Sequence, residues 1–108
     1  MAETPTINWH GQSGKAYKYW IHPIGTRFEA VPGNYIFATK TQPNNWSPVY
    51  IGESSNLQER LTDSHEALPC VKRNGGTHVH VHRNDAGQAA RRAEEQDLIA
   101  KWKPPCNG

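Results

Sequence analysis

The sequence predicts an α+β fold, in which a small and mainly antiparallel sheet is flanked by helices. Segments that alternate apolar and polar residues indicate strands, and two later segments with helical periodicity and capping residues indicate helices. Turn residues such as Gly, Pro and Asn separate these segments. A chain of 108 residues supports one compact domain with a modest core. We expect the order strand, strand, helix, strand, helix, with an extra amino-terminal strand or two.

The amino-terminal part divides into a lead-in and a first strand. Residues 1–14 carry Pro, Ser, Gly and Gln without periodicity, which predicts a flexible segment before a single domain at 15–108. Residues 15–22 alternate apolar and polar side chains, which is typical of a strand. Residues 26–31 are expected to add a short extended piece.

A hairpin and a later strand complete the predicted sheet. Residues 34–40 and 48–52 have the composition of two antiparallel strands, joined by a loop at 41–47 that contains Pro and Asn. Residues 77–83 alternate His with Val, which predicts one further strand. The sequence contains no internal repeat.

Caps and helix breakers predict the two helices. Ser55 followed by Gln58 matches a capping box, which predicts a helix that ends near His65. Residues 70–76 are polar, end in two glycines and are expected to form a loop. Residues 84–102 begin with capping residues and are followed by two prolines, which predicts the final helix.

Composition limits the class of protein without giving its function. Apolar residues make up 35% and charged residues 20% of the chain, so the sequence is not of the disordered class. It has no apolar run long enough for a membrane span and no basic-then-apolar signal pattern, so we expect a cytoplasmic protein. In that reducing compartment Cys70 and Cys106 are expected to be free thiols. A net charge of +2 permits nucleic-acid binding but does not predict it.

Arg60 departs from the polar pattern of the first helix. Leu57 and Leu61 define the predicted buried stripe, and Arg60 lies beside it on a helical wheel. A buried charge is costly unless it is paired, so this arginine is a candidate functional residue. The alternative is an arginine whose aliphatic stem covers apolar surface while its charge reaches water.

Glu95 makes a similar exception in the final helix. It lies on the helical face of Leu98 and Ile99, so we expect Glu95, rather than Glu94, to face the sheet. The alternative explanation is an ion pair with Arg91 or Arg92 on the same helix.

Three histidines alternate along the last predicted strand. The spacing of His78, His80 and His82 would suit metal ligands, but no Cys or carboxylate is near in sequence. A polar face that is exposed or lines a groove is therefore the preferred interpretation. Tyr35 and Tyr50 in the predicted hairpin are compatible with ordinary strand composition when each is considered alone.

Five segments in this order and at similar spacings resemble the GIY-YIG nuclease domain. The resemblance covers residues 33–107, and no single segment would be specific. The segments are Gly33-Asn34-Tyr35, Tyr50-Ile51-Gly52, the helix at 56–61 that contains Arg60, Glu95-Gln96-Asp97-Leu98-Ile99, and Lys103-Pro104-Pro105-Cys106-Asn107.

The resemblance implies a metal-dependent endonuclease that hydrolyses phosphodiester bonds. It implies that Tyr35 activates a water, with Tyr50 beside it, and that Arg60 clamps the phosphate. It also implies that Glu95 holds one divalent metal ion, Mg²⁺ or Mn²⁺. We further hypothesise that His65 relays the proton of Tyr35. The resemblance assigns Gly33, Gly52 and Asn107 to its structural motif.

The expected partner is nucleic acid, DNA rather than RNA, with a protein partner as a source of specificity and with no membrane. Lys72 and Arg73, together with the face of His78, His80 and His82, are expected to line the path of the nucleic-acid backbone. One alternative is a non-cleaving nucleic-acid-binding module of the same fold. Another is a histidine-rich metal-binding or structural protein.

Overall fold

The protein folds as one five-stranded antiparallel sheet with three helices, so the predicted α+β class is confirmed. A computed structural model describes residues 4–43 and 45–107. The strands lie across the sheet in the order β1-β2-β5-β3-β4. They are β1 (Thr6–His10), β2 (Ala16–Pro23), β3 (Gly33–Gln42), β4 (Asn45–Ser54) and β5 (His78–Arg83). The helices are α1 (Leu57–Arg60), α2 (Leu68–Arg73) and α3 (Gln88–Trp102).

The helices lie on opposite faces of the sheet, because successive strand side chains point to opposite sides. On the first face, Leu57 of α1 and Val71 of α2 pack against Tyr35 and Phe37. On the second face, Leu98 of α3 packs against a separate cluster. That cluster contains Trp9, Tyr19, Ile36, Ala38 and Ile51. The central strand β3 therefore supplies core residues to both faces.

The amino-terminal segment corrects the prediction of a flexible lead-in over residues 1–14. Thr6–His10 forms the edge strand β1, which pairs antiparallel with β2, and Trp9 is buried in the core. Residues 1–3 lie outside the described part. The two strands β1 and β2 match the expected extra amino-terminal strands, whereas residues 26–31 form no regular strand.

The hairpin is tighter than the sequence predicts. The two strands continue through most of the predicted loop at 41–47, and Gln42 pairs with Asn45. Asn44 lies outside the described residues. Bulges in the pairing after Phe37 and after Lys40 accommodate the irregular sequence, including Pro48 within β4.

The helices of the structure begin and end at different residues from those predicted. The first helix is only one turn long, and its cap is Asn56, whose side chain accepts the Glu59 backbone N–H. The predicted polar loop at 70–76 is largely α2, in which a proline occupies the first turn. The final helix begins at Gln88 after Gly87, whose φ of 102° is readily adopted by glycine.

A disulfide joins Cys70 of α2 to Cys106 in the turn after α3. The prediction of free thiols is therefore wrong. The two cysteines are 36 residues apart in sequence, and only the fold brings them together. Because α2 and α3 lie on opposite faces, the bond connects the two faces around the outer strand β4.

Within the described ranges, none of the helices has both the length and the apolar character that a membrane crossing requires.

Candidate active site

Tyr35 is at the centre of a polar cluster on the first face. It lies in the middle strand of the β5-β3-β4 unit and has no solvent-exposed surface. Its cross-strand partner is Gly52. A Cβ atom at Gly52 would lie 2.5 Å from both Cζ and Oη of Tyr35. Glycine at this position therefore leaves the space that the phenol fills.

His65 is held against Tyr35 in one tautomer. The backbone N–H of Ala67 donates to His65 Nδ1 at 3.0 Å, so Nδ1 carries no proton. Burial, with a contribution from the positive charge of Arg60, lowers the pKa of His65 to about 4. The ring is therefore neutral near pH 7 and its single proton lies on Nε2. This Nε2 is 2.8 Å from Tyr35 Oη, so His65 is the donor in that hydrogen bond.

Tyr35 Oη thus accepts two hydrogen bonds. The second comes from Arg60 Nε at 3.2 Å. The phenol's own hydrogen has no acceptor among the described residues. Burial raises the pKa of Tyr35, so this hydrogen is present at neutral pH. A buried hydroxyl whose proton has no acceptor is uncommon and calls for an explanation. The buried Nε2 of His80 on the second face likewise has no hydrogen-bond partner among the described residues.

This tautomer corrects the expected relay of a proton from Tyr35 to His65. Because Nε2 already holds a proton and Nδ1 accepts from Ala67, the neutral ring has no free position for another proton at Tyr35. His65 orients the phenol and donates to its oxygen instead.

Arg60 links the phenol to an exposed carboxylate. Its Nη1 and Nη2 atoms donate to both oxygens of Glu66, at 2.6 and 2.5 Å. The hydrogen bonds from Arg60 lower the pKa of Glu66 to about 2. The edge of the guanidinium formed by Nη1 and Nη2 is therefore occupied by a residue that is itself largely exposed, with 69% of its side chain accessible.

Tyr50 closes the aromatic side of the cluster. Its ring lies nearly parallel to that of Tyr35, with centroids 6.2 Å apart, and edge-on to His65 at 5.3 Å. Phe37 makes edge contacts with both Tyr35 and His65. The structure thus brings together four of the predicted site residues: Tyr35, Tyr50, Arg60 and His65.

Helix α3 contacts the sheet with a different face from the predicted one. Glu94, not Glu95, is buried, and it follows the stripe Arg91, Glu94 and Leu98. Glu94 accepts hydrogen bonds from Tyr19 Oη at 2.5 Å and from His82 Nε2 at 2.7 Å. The expectation that Glu95 rather than Glu94 faces the sheet is therefore wrong, because partners from β2 and β5 offset the cost of burying a carboxylate.

Glu95 itself is partly buried beside β4. Burial raises its pKa, and the negative charge of Glu53 adds to this effect. Its side chain accepts a hydrogen bond from Gln96 at 3.4 Å, and it makes no hydrogen bond to the Tyr35 cluster among the described residues. Glu53 is itself paired with Arg91, whose Nε donates to the Glu53 carboxylate at 2.9 Å. Glu95 therefore offers one carboxylate, which is a ligand type that hard divalent ions accept.

The three histidines of β5 lie under α3 on the second face. His80 is completely buried, and its Nδ1 accepts from Trp9 Nε1 at 2.9 Å. His82 is bonded to Glu94, and His78 lies edge-on to Trp46. The prediction of a polar face that is exposed or lines a nucleic-acid path is therefore wrong for His80. Within the described ranges, no cluster of three potential metal ligands is found.

The remaining predicted residues lie around this core. Lys72 and Arg73 are exposed at the end of α2. A Cβ at Gly33 would approach a backbone oxygen of β5 to 2.5 Å, so glycine permits close packing there. Asn107 donates to the Ile51 carbonyl oxygen at 2.8 Å and accepts from its N–H at 2.7 Å. It thereby continues the hydrogen bonding of the outer strand.

Sequence reasoning missed Glu66 and Glu94. Glu66 follows the short helix at a position with no periodic relation to Arg60, so no sequence signal pairs them. Glu94 does precede Leu98 by four residues, which is the spacing of one helical face. That signal was available, but a charged residue on such a face is usually assigned to solvent.

A cleft of about 230 Å³ lies next to the cluster on the first face. Phe37 lines it and also contacts the rings of Tyr35 and His65. Apolar residues including Phe28, Leu61 and Leu68 form other parts of its lining, and Thr26, Gln58 and Asp63 provide polar atoms. The cleft extends the candidate site toward the loop between β2 and β3.

No protein-family model matches this chain, and no curated protein or solved structure matches it either.

Proposed function

We propose that this protein is a metal-dependent endonuclease of the GIY-YIG type, which hydrolyses phosphodiester bonds in nucleic acid, with DNA as the expected substrate. The observation that carries the proposal is the buried phenol of Tyr35. Its oxygen accepts from His65 and Arg60, while its own proton is uncommitted. A hydroxyl with this arrangement, next to a guanidinium, suits proton transfer at a phosphate.

In this proposal the phenol of Tyr35 first loses its proton to solvent, and the phenolate then accepts a proton from the attacking water. A phenolate at this position would keep both donors, one neutral and one positively charged, and both favour the charged oxygen. Burial works against ionisation and raises the pKa of Tyr35. We therefore propose that Tyr35 loses its proton only after the substrate has bound. The buried phenol must first become accessible.

Arg60 provides that access in the proposed mechanism. Its side chain is partly exposed, and its two terminal nitrogens bind the exposed carboxylate of Glu66. A phosphate has the same two-oxygen geometry as a carboxylate and can replace it on the guanidinium. Exchange of Glu66 for substrate would place the phosphate within reach of Tyr35.

Glu95 is the proposed ligand of one divalent ion, Mg²⁺ or Mn²⁺, with Glu53 nearby. When bound, such an ion supplies Lewis-acid stabilisation of the leaving oxygen. Tyr50 and Glu53 both belong to β4, and they lie three residues apart on opposite faces of this outer strand. The phenols and the carboxylates therefore lie on opposite sides of β4, whose outer edge is hydrogen-bonded to residues 106–107, and a substrate would have to pass around this edge to contact both.

Other parts of the proposal concern partners and location. Lys72 and Arg73 on α2 are proposed to contact the phosphate backbone near the cluster. A protein partner is proposed to add sequence specificity. The cytoplasmic location remains a prediction, and the disulfide is the feature that argues against a reducing compartment.

Cleavage of supercoiled and linear DNA, and of RNA, with Mg²⁺ or Mn²⁺ tests the proposal. Glu95→Gln should reduce cleavage at least 100-fold and should also remove any stabilisation of the fold by added metal. Glu59→Gln on α1 removes the same charge from an exposed site and serves as the control. Metal-dependent cleavage that is equal in both variants would contradict the assignment of Glu95.

A second candidate function is a non-cleaving nucleic-acid-binding module of the same fold. Two observations favour it: Tyr35 has no exposed surface, and the donors of Arg60 are occupied by Glu66. Binding of DNA with no cleavage under any metal condition would support this alternative.

A further inference from the structure

Part of the first face is not covered by a helix. We call it the open sheet face and define it by Thr6, Asn8 and His10 of β1 and by Lys18 and Trp20 of β2, all of which are exposed. Strand alternation places these residues on the side of the sheet that carries Tyr35. Helices α1 and α2 cover only the β3, β4 and β5 side of this face, through contacts with residues such as Phe37, Val49 and Val79.

The register connects the open sheet face directly to Tyr35. Tyr35 pairs with Val81, Val81 pairs with Trp20, and Trp20 pairs with Thr6. These residues form one row across the sheet with side chains on one face. With strands about 4.8 Å apart, Trp20 lies about 10 Å from Tyr35 along that row. An unpaired nucleic-acid strand spans this distance with very few nucleotides.

Trp20 is an exposed apolar residue with a cation beside it. Its exposed fraction is 40%, and Lys18 Nζ lies 5.4 Å from the centre of its ring. Arg83 of β5 also lies on this side of the sheet, but its charge is paired with Asp85 at 2.7 Å, so Lys18 is the cation on which the argument depends. None of the described strand residues that define the open sheet face is acidic. A flat aromatic ring with adjacent positive charge is complementary to a base and its phosphate.

We infer that the open sheet face binds unpaired nucleotides of the substrate, with a base stacked on Trp20 and a neighbouring phosphate contacted by Lys18. Bases in a duplex have their faces covered by neighbouring pairs, so stacking on Trp20 selects a single strand, loop or flap. This inference rests on the proposed function for the position of the scissile phosphate near Arg60. It adds a substrate class, namely nucleic acid that is unpaired next to the cleavage position.

Binding of labelled oligonucleotides in EDTA tests the inference without cleavage. The probes are a 12-nucleotide oligo-dT, the matching oligo-U and a 12-base-pair DNA duplex, measured by fluorescence anisotropy. Trp20→Ala should weaken single-strand binding about 5- to 100-fold, and Trp20→Phe should retain most of it. Lys18→Gln should reduce the magnitude of the salt slope by about 0.7. The ratio of oligo-dT to oligo-U affinity distinguishes DNA from RNA.

Trp102 provides the matched control. It is also exposed, at 37%, and has Lys101 over its ring, but it belongs to α3 on the second face. Its Nε1 donates to the backbone oxygen of His10 and its ring contacts Trp9, so the two tryptophan variants are compared only where their melting temperatures match that of the wild type. Trp102→Ala should leave oligonucleotide affinity within about twofold of the wild type. Equal losses in both tryptophan variants, or an unchanged affinity in Trp20→Ala with a normal melting temperature, would overturn the inference. A wild-type dimer that Trp20→Ala dissociates would also overturn it, because the face would then be a contact between copies.

The outcomes separate this inference from the proposed function. Oligonucleotide binding that depends on Trp20, without cleavage by any form of the protein, would retain the open sheet face and reject the nuclease. Cleavage that depends on Tyr35, with binding independent of Trp20, would retain the nuclease and reject nucleotide binding at the open sheet face.

Discussion

Each face of the sheet carries a buried tyrosine that is hydrogen-bonded to charged side chains. The two hydrogen-bonded groups differ in whether they reach solvent. On the second face, Tyr19 and His82 both donate to Glu94, and the group is enclosed beneath α3. On the first face, the chain of bonds from Tyr35 passes through Arg60 to Glu66 and ends in solvent.

This difference is the reason why we propose a function for the polar group of the first face and a structural role for that of the second face. Glu94 is buried but has two partners from neighbouring strands, so its contacts stabilise the packing of α3. Tyr35 retains a proton that has no acceptor among the described residues, and Arg60 is paired with the exposed Glu66, which we propose that the substrate replaces. Burial of a polar group is therefore a weak indicator of function by itself, since buried polar groups with incomplete partners occur on both faces, at Tyr35 on the first and at His80 Nε2 on the second.

The largest expected effect compares the two tyrosines directly. Tyr35→Phe should reduce nucleic-acid cleavage at least 100-fold, because it removes the proposed proton-transfer group. Tyr19→Phe should leave cleavage nearly unchanged but lower the free energy of unfolding by about 2 kcal/mol, because buried Glu94 loses a donor. Cleavage assays and chemical denaturation of both variants measure the two effects. A similar loss of cleavage in both variants would break the distinction between the faces.

The disulfide joins the two faces, so its reduction should loosen both. The loop that it closes spans 36 residues in sequence. Reduction, or Cys106→Ser, should lower the free energy of unfolding by about 3 kcal/mol. Urea denaturation with and without reductant measures the change, and thiol titration of the denatured protein establishes the starting state. Two free thiols in protein purified without reductant would contradict the bond.

Each face contains a buried neutral histidine, and both make stability depend on pH. Burial lowers the pKa of His80 to about 3, and burial with Arg60 lowers that of His65 to about 4. Because the unfolded chain binds protons more readily, this stability is present above about pH 6.5 and is lost as the pH falls toward these values. For His80 the loss between pH 6.5 and 4 is about 3 kcal/mol.

Unfolding measured at pH 7 and pH 4 checks this prediction. The wild type should lose free energy of unfolding between pH 7 and pH 4. In His80→Gln this loss should be smaller by about 3 kcal/mol. An unchanged difference would mean that His80 is protonated in the folded protein or is accessible to water.

The smallest expected effect concerns the exposed end of the first-face cluster. Glu66→Gln removes the charge that competes for Arg60, so inorganic phosphate should bind about fivefold more tightly. Titration calorimetry at low ionic strength measures this affinity. Glu59→Gln is again the control for loss of one negative charge. If phosphate binds the Glu66 variant no better than it binds the control, Glu66 does not occupy the phosphate position.

Local sequence patterns predicted much of the fold and part of the candidate site. The alternation in residues 15–22, 34–40 and 77–83 placed three strands, because strand periodicity is a property of neighbouring residues. The position of Arg60 beside a leucine stripe was also visible on a helical wheel. Element ends were less accurate, since the cap at Asn56 and the helix after Ala67 depend on contacts beyond the local segment.

The sequence by itself determined the α+β class and the order of the main elements. It also indicated Tyr35, Arg60 and His65 as candidate site residues, through the resemblance of its motifs to a known family. Only the tertiary structure decided that His65 donates to Tyr35, that Glu66 occupies Arg60, and that Glu94 rather than Glu95 is buried. The physical reason is that periodicity and capping depend on neighbours in the chain. Hydrogen-bond partners, tautomers and disulfides depend on residues that are brought together only when the sheet and helices pack.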